Sequence, residues 1–362
     1  MGALALALLA VVVAGVLFLR ALWLREGPWD LPRSDWRVFR KEHITAEGRV
    51  VDRVNSGVTH SESQGYGMLI AEAYGDRRVF NRLWDWTRHH LQTRPQDRLL
   101  SWLWQPQSPG KEEGVGDANN ASDGDLLVAW ALTRAARRWH HFPYQQSALE
   151  ILADLRRLNV REWEGRPVLL PGVEGFVTGD ALVTNPSYAI FPAFREFEAA
   201  YPDSGWEKML ASSLHLAGQS RFGKWRLPPD WLRLPSDGPP EPAPAFPPLF
   251  GYNAVRVPLY LAWLDPHADL LAPFAKFWES FQEGEKIPDT VNLLNGEFGP
   301  YAAIPGVLAI ARLTMACHHR SSITVRDIAP VAPGEAYYSV CLKILVKMAI
   351  RENREIFQGA ES

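Results

Sequence analysis

Apolar residues recur three and four positions apart along most of the chain, whereas stretches of alternating apolar and polar residues are short and few. This pattern, in which Asp, Ser or Pro opens many segments, predicts helices that begin near residues 35, 62, 76, 123, 144, 186, 205, 252, 269, 301 and 334. Long loops separate these helices into pairs. We therefore expect an all-α fold, a toroid of helical hairpins, although no sequence repeat of fixed period accompanies it.

The first segment differs from the rest, because residues 2–19 are apolar apart from glycine and are numerous enough to cross a bilayer core. We favour an uncleaved membrane anchor over a signal peptide, since the run follows Met1 almost directly and no small-residue cleavage site comes after it. Export of the following domain would place Arg20 and Arg25 on the outer side of the membrane. Because positively charged residues tend to stay in the cytoplasm, these two residues instead favour an orientation with that domain in the cytoplasm. The predicted organisation is an anchor or signal peptide over residues 1–25 and one domain over residues 26–362.

Three loops between the predicted helices are long enough to carry function. Residues 94–122 form the first, and residues 159–185 form the second, in which a short hairpin is expected over residues 169–184. The third, residues 227–250, is rich in proline and is predicted to be free of helix, as either a lid or a disordered bulge.

Composition narrows the class of ligand. The formal net charge is −3 with both signs mixed along the chain, which argues against nucleic acid as the main partner. The 15 Trp residues supply flat apolar faces that suit sugar rings, with packing between helices as the alternative for most of them. Cys317 and Cys341 lack the spacing of metal ligands, so buried thiols are expected, and one bridge between neighbouring helices remains open.

Two segments rich in carboxylates stand directly before apolar helical runs. Glu62 lies within residues 61–68, SESQGYGM, at the first turn of a predicted helix, and residues 117–125, DANNASDGD, place three carboxylates in nine positions. Helix capping is the alternative to catalysis at both places, whereas a calcium loop would need a glutamate that the second segment lacks. Because hydrolysis of a glycosidic bond uses two carboxyl groups, Glu62 is one candidate, and either Asp123 or Asp125 can cap the helix while the other faces a ligand or a second acid.

Together with residues 121–132, ASDGDLLVAWAL, the segment around Glu62 resembles the two hallmark segments of glycoside hydrolase family 8. Residues 185–188, NPSY, residues 252–256, YNAVR, and the pair Tyr337-Tyr338 fall in the order of that family's remaining motifs. The resemblance extends over roughly residues 36–350 and is greatest to the endoglucanases that accompany bacterial cellulose synthase. It implies an (α/α)6 barrel, an inverting mechanism and β-1,4-glucan as the substrate.

The resemblance also implies roles for particular residues, without any metal or cofactor. Glu62 matches the general acid, and Asp123 matches the aspartate that holds the central, distorted sugar. The predicted substrate-binding residues are Tyr66, Trp102, Trp104, Asp125, Tyr188, Tyr252, Asn253, Arg256 and Tyr338. The implied partners are a β-glucan, the cellulose synthase complex and the membrane, in a periplasmic or secreted location with residues 2–19 as an inner-membrane anchor.

One position departs from the family pattern. The best-known members carry the catalytic base as an aspartate directly after the tyrosine of the YNAVR-like segment, where this chain has Asn253, and an amide cannot accept the proton. The predicted alternative bases are Asp180, Asp230, Asp237 and Glu241. Two other functions stay open: a polysaccharide-binding protein that has lost turnover, and an enzyme that acts on xylan or chitosan.

Overall fold

The computed structural model describes residues 26–110, 112–282 and 284–359. Within these ranges it contains twelve α-helices. They are α1 (Arg33–His43), α2 (Ser61–Ala73), α3 (Arg77–His90), α4 (Ser122–Trp139), α5 (Phe142–Asn159), α6 (Phe191–Ala200), α7 (Trp206–Gln219), α8 (Arg256–Leu264), α9 (Ala272–Glu279), α10 (Pro305–His318), α11 (Tyr337–Glu352) and α12 (Arg354–Gly359).

Each of the eleven predicted helices has a counterpart that begins within about five residues of its expected start. At Pro186 and Asp269 a single 3-10 turn (Pro186–Tyr188 and Asp269–Leu271) comes first, and the α-helix begins only after it. The short helix α12 was not predicted from the pattern. The all-α class is therefore confirmed over the part of the chain that the structure describes.

The helices form a ring whose inner members are almost completely buried. Successive contacts join α2 to α4, α4 to α6, α6 to α8 and α8 to α10, and α11 closes the ring by contacting both α10 and α2. Helices α1 and α3 are amphipathic, with one buried face and many exposed charges, as expected for members of an outer layer. Helix pairs of this kind place the N-terminal ends of the inner helices together at one end of the ring.

Small residues allow α2 and α4 to approach each other closely. A Cβ atom added to Gly65 would lie 2.4 Å from the Cβ of Leu127, and one added to Gly124 would lie 2.1 Å from the Oγ of Ser61. Side chains at either position would therefore force the helices apart. The glycines bring the first turns of α2 and α4, which carry Glu62 and Asp123, against each other.

Short strands occupy the long loops. They are β1 (Thr59–His60), β2 (Ser101–Gln105), β3 (Gly114–Asn120), β4 (Val160–Trp163), β5 (Arg166–Leu169), β6 (Val177–Thr178), β7 (Ala181–Thr184), β8 (Leu232–Pro235), β9 (Glu241–Pro242), β10 (Leu249–Phe250) and β11 (Val291–Asn292). The sheets have the orders β1-β2-β3, β4-β5, β6-β7-β8-β9 and β10-β11.

Two expectations about the loops need correction. The single hairpin expected over residues 169–184 is instead two hairpins, because Leu169 pairs with Val160 and the β6–β7 hairpin starts afresh at Val177. Residues 227–250 are indeed free of helix but are not a disordered bulge, since β8 pairs with β7 and buries Leu232 and Leu234. A lid is not observed either, because this loop contributes no lining residue to the central cavity described below.

Cys317 and Cys341 are buried and not bonded to each other. The predicted anchor at residues 2–19, and the boundary after residue 25, lie outside the described residues. Among the helices of residues 26–359 that the structure describes, none has the length and hydropathy needed to span a membrane.

Candidate active site

A cavity of about 550 Å³ opens where the N-terminal ends of α2, α4, α8 and α11 meet. Eight of the predicted site residues line it: Glu62, Trp102, Asp123, Tyr188, Tyr252, Asn253, Arg256 and Tyr338. Its other lining residues include Asp52, Asn55, His60, Ser61, Ile304 and Tyr337. The fold thus gathers residues that are up to 286 positions apart, from Asp52 to Tyr338, around one opening.

Glu62 lies in the first turn of α2, directly after strand β1. A capping box holds this turn, in which His60 and Ser63 exchange hydrogen bonds between side chain and backbone. The Glu62 side chain is 21% exposed, whereas that of Asp123, in the first turn of α4, is only 2% exposed. Glu62 is therefore the carboxylate of the two that solvent or a ligand reaches directly.

Arg256 connects the two carboxylates. Its Nη1 donates hydrogen bonds of 3.1 Å to Glu62 Oε2 and of 3.1 Å to Asp123 Oδ2. Because both oxygens lie 3.1 Å from one nitrogen, they are at most about 6 Å apart. The same side chain is 1% exposed and also donates to Tyr66 Oη and to Ser187 Oγ. One buried guanidinium thus fixes the relative positions of Glu62 and Asp123.

The electrostatics of this cluster favour retention of a proton. Burial and the neighbouring Glu62 carboxylate raise the pKa of Asp123 to about 7, against the opposite effect of Arg256. The proton that Asp123 retains near neutral pH lies next to the more exposed Glu62. A carboxyl pair of this kind can supply a proton to a bound molecule at physiological pH.

Asn253 lines the cavity at the position where the resemblance led us to expect an aspartate. Its Oδ1 accepts a hydrogen bond of 3.0 Å from Arg256 Nη2. Behind it, Asp230 Oδ1 accepts hydrogen bonds from the backbone N–H groups of Gly251, Asn253 and Ala254. Burial raises the pKa of Asp230 to about 6. Asp230 does not line the cavity, so its position is that of a support for the segment that carries Asn253.

The three other predicted bases lie away from the cavity. Asp180 and Glu241 both pair with Arg233 on the sheet β6-β7-β8-β9, and Asp237 is exposed in the connection between β8 and β9. None of the three is among the residues that line the cavity with Glu62. This placement separates them from the predicted reaction centre.

Aromatic side chains form much of the cavity wall. Trp102 stacks on His60, with ring centroids 5.9 Å apart and planes 8° from parallel. Tyr252 is 41% exposed, and Tyr338 Oη donates a hydrogen bond of 2.6 Å to the Tyr252 carbonyl. Tyr188 lies below Arg256, whose guanidinium is 5.7 Å from the ring centroid. These surfaces provide faces for sugar rings without any net charge.

Three predicted binding residues are instead parts of the supporting structure. Tyr66 is fully buried and accepts a hydrogen bond from Arg256. Trp104 is 5% exposed and packs edge-on against Trp86. Asp125 is also buried and accepts hydrogen bonds from Leu100 N and from the Asn120 side chain. None of the three lines the cavity.

Other polar groups near the cavity were not predicted from the sequence. His60 and Asp52 line it, and burial lowers the pKa of His60, so this imidazole is neutral near pH 7. Asp289 Oδ2 accepts a 3.4 Å hydrogen bond from Tyr252 Oη, just outside the lining. The side chain of His60 could have been suspected from its place directly before Glu62, whereas Asp289 lies in a loop without any recognisable motif.

A ring of helical hairpins with an arginine-bridged carboxyl pair in an aromatic cleft defines the class of helical-barrel glycoside hydrolases. The model of the family "Glycosyl hydrolases family 8" matches residues 27–352, and the chain belongs to this family. This membership confirms the predicted family and the enzyme class, a glycoside hydrolase.

Relatives and solved structures agree with the family. A probable endoglucanase of Novacetimonas hansenii is 38% identical over 325 residues, covering 89% of this chain and 92% of the relative. An endoglucanase of Cellulomonas uda is 37% identical over 309 residues, covering 85% and 83%. The crystal structure of an endoglucanase of Klebsiella pneumoniae superimposes with a TM-score of 0.82 at 36% identity, covering 89% of this chain and all of that chain. The fold is therefore the (α/α)6 barrel of family 8.

Proposed function

We propose that this protein is an inverting endo-β-1,4-glucanase. The observation that carries the proposal is the carboxyl pair Glu62 and Asp123, joined by Arg256 inside a cavity lined by aromatic side chains. Relatives that match most of the chain are named endoglucanases, which supports a β-glucan as the substrate. The mixed charges and the net charge of −3 are compatible with a neutral polysaccharide.

In the proposed reaction, Glu62 protonates the oxygen of the leaving sugar. Its partial exposure gives it access to the scissile bond, whereas Asp123 is almost completely buried. Asp123, which is more deeply buried, holds the central sugar through its hydroxyls. Trp102 and Tyr252 offer ring faces on which neighbouring sugars stack.

The second half of the reaction needs a group that activates water. Asn253 is placed to orient that water through its amide, but it cannot take the proton. Among the predicted bases, Asp230 is the one next to Asn253, and its three backbone hydrogen bonds suit a group that fixes the segment. We therefore expect slow hydrolysis, in which water is oriented without full assistance from a base.

The cellular context belongs to the same proposal. The apolar run of residues 2–19 supports export or anchoring at the inner membrane, with the barrel in the periplasm. A β-1,4-glucanase in that location would act on glucan chains as they leave a cellulose synthase.

The test compares the wild type with Glu62→Gln on carboxymethylcellulose and on soluble cello-oligosaccharides. Loss of a general acid should lower kcat by about a hundredfold to ten-thousandfold, while Glu355→Gln, an exposed glutamate on α12, should leave kcat unchanged. Proton NMR of the first product should show the α anomer. An unchanged kcat in Glu62→Gln would refute the assignment of the acid.

The amide at position 253 specifically favours one second candidate, a polysaccharide-binding protein with negligible turnover. This candidate predicts saturable binding of cello-oligosaccharides with no new reducing ends over many hours. Hydrolysis of β-1,4-glucan by the wild type would exclude this second candidate. Hydrolysis of xylan or chitosan alone would instead identify a different substrate for the enzyme.

A further inference from the structure

The end of the barrel opposite the cavity carries a concentration of positive charge. A hollow of about 790 Å³ lies between the start of α1, the end of α2, the start of α3 and the end of α11. Five arginines line it: Arg33, Arg37, Arg40, Arg77 and Arg351. A second hollow of about 390 Å³ shares Arg40 and adds Lys41, Arg78 and Arg82.

The acidic residues at this end do not balance these cations. Eight basic side chains line the two hollows, against the three carboxylates of Glu26, Asp30 and Asp76. All three carboxylates accept hydrogen bonds from neighbouring groups, as when Asp76 caps α3 and bonds Trp36 Nε1. The linings of the two hollows therefore carry an excess of five positive charges, in a chain whose formal net charge is −3.

The arrangement of the basic residues follows the geometry of α1. Arg33, Arg37, Arg40 and Lys41 are exposed on one side of the helix, while Trp36 and Phe39 are buried on the other. Arg33, Arg37 and Arg78 form no side-chain hydrogen bond or ion pair with any other residue that the structure describes. Their charges are therefore available to an external anion.

The floor of the larger hollow adds a cation whose charged form is disfavoured by burial. Burial lowers the pKa of Arg351; among the charges around it, Glu352 and Glu72 act against this effect, and Arg134 and Arg138 act with it. An anion in the hollow would favour the charged form of Arg351. The N-terminal ends of α1 and α3 at this hollow favour negative charge, whereas the C-terminal ends of α2 and α11, which also lie there, have the opposite effect.

From this cluster we propose that the arginine-lined end of the barrel binds phosphate-bearing anions, and that the headgroups of an acidic phospholipid bilayer supply them. The described chain begins at Glu26, which lines this hollow, and the apolar run of residues 2–19 precedes it closely in sequence. A chain tethered through that run would have this end of the barrel nearest the bilayer. Each basic side chain at an anionic surface strengthens the contact by about fivefold.

This contact sets the direction in which the cavity opens. Helices α2, α4 and α11 carry Glu62, Asp123 and Tyr337 at their starts and end towards the arginine-lined end, and α2 alone rises about 20 Å. A barrel seated on its arginines would present the cavity away from the bilayer, towards soluble or emerging polysaccharide. The inference is independent of the reaction proposed for the cavity.

The test uses the full chain reconstituted into two kinds of vesicle, one of phosphatidylcholine and one with about one-third phosphatidylglycerol, an anionic lipid. Amide hydrogen exchange of residues 33–43 should be roughly threefold or more slower with the anionic lipid, and about 1 M salt should abolish the difference. The triple variant Arg33→Gln, Arg37→Gln and Arg78→Gln should lose the protection. A control with the same charge change, Arg166→Gln, Lys208→Gln and Lys276→Gln, should keep it, because these exposed residues line neither hollow.

Three outcomes would overturn the proposal. Equal exchange in both vesicles, or protection that survives in the triple variant, would exclude an electrostatic contact through these arginines. Protection by inorganic phosphate in phosphatidylcholine vesicles, with none from phosphatidylglycerol, would assign the hollow to a free anion. Activity on soluble glucan, measured on the same preparations, reports separately on the cavity.

Discussion

Replacement of Asn253 by aspartate restores a carboxylate to the place where the best-known relatives of this family carry their base. The side chain keeps its size, lines the cavity and would still accept the 3.0 Å hydrogen bond from Arg256 Nη2. The guanidinium would also favour the ionised form of the new carboxylate, which is the form a base requires.

The expected gain follows from the worth of a general base, about a hundredfold to ten-thousandfold in rate, or roughly 3–5 kcal/mol of barrier. Part of this gain in rate should be lost, because a third carboxylate would then share Arg256 with Glu62 and Asp123. The added negative charge would raise the pKa of Asp123 further. We therefore expect kcat to rise by about tenfold to a hundredfold in Asn253→Asp.

Reducing-end release from cello-oligosaccharides, followed across pH, measures the change. Gln358→Glu, which adds the same charge on exposed helix α12, is the control and should behave as the wild type. A kcat within twofold of the wild type at every pH, with the fold intact by circular dichroism, would refute the reasoning. The base would then lie elsewhere. A loss of activity in Asp289→Asn would point to that carboxylate, whereas a loss in Asp230→Asn would not, because Asp230 also holds the backbone of the segment that carries Asn253.

The remaining predictions concern the support of the cavity. Arg256→Met leaves Asp123 buried without its cation and should lower the free energy of unfolding in urea by about 3–5 kcal/mol; an unchanged midpoint would contradict this. The pKa of Asp123 in the folded state, about 7, lies above its value in the unfolded state. Its contribution to stability is therefore complete below about pH 4 and is lost as the pH rises through about 7. The free energies of unfolding in urea at pH 5 and at pH 8 should accordingly differ less in Asp123→Asn than in the wild type. Trp102→Ala should raise KM for long oligosaccharides more than it lowers kcat, as steady-state kinetics would report. Gly124→Ala drives a methyl group onto Ser61 and should lower the thermal midpoint by several degrees, whereas equal melting curves would show that the helices can separate freely.

The helical order of the barrel could be predicted from the sequence because its signals are local. Asp76 caps α3 and the apolar spacing of α4 follows directly from its first turn, so these starts are accurate to a residue or two. At Pro186 and Asp269 the prediction was early, since proline and aspartate also open single 3-10 turns. The strands of residues 160–250 were mostly missed, because pairing of β7 with β8 depends on segments 48 or more residues apart.

The candidate site, like the fold, has some features that the sequence predicts and others that depend on contacts between distant segments. Sequence motifs predicted Glu62, Asp123 and Arg256 as site residues. No local signal indicates that the guanidinium of Arg256 contacts both carboxylates, which lie 194 and 133 positions earlier in the chain. Trp104 and Trp102 are two positions apart on β2, and only the sheet pairing and the packing against Trp86 decide that one is buried while the other stacks on His60. The loop acids were overrated for a related reason. Glu241 is only 12 residues before Asn253 in sequence, yet Arg233 holds both Glu241 and Asp180 on the sheet β6-β7-β8-β9, away from the cavity.

The segment around Asn253 is held in place without a carboxylate at position 253, and this determines how the enzyme should respond to the introduction of one. Asn253 keeps its hydrogen bond with Arg256, and Asp230 holds the backbone of its segment. Tyr338 also fixes the neighbouring carbonyl of Tyr252. Since the groups that bind sugar do not depend on the charge at position 253, KM should change by no more than about threefold in Asn253→Asp while kcat rises. A fall in KM with constant kcat would instead mean that the aspartate contributes to binding of the ground state, and that water activation in this chain never depended on position 253.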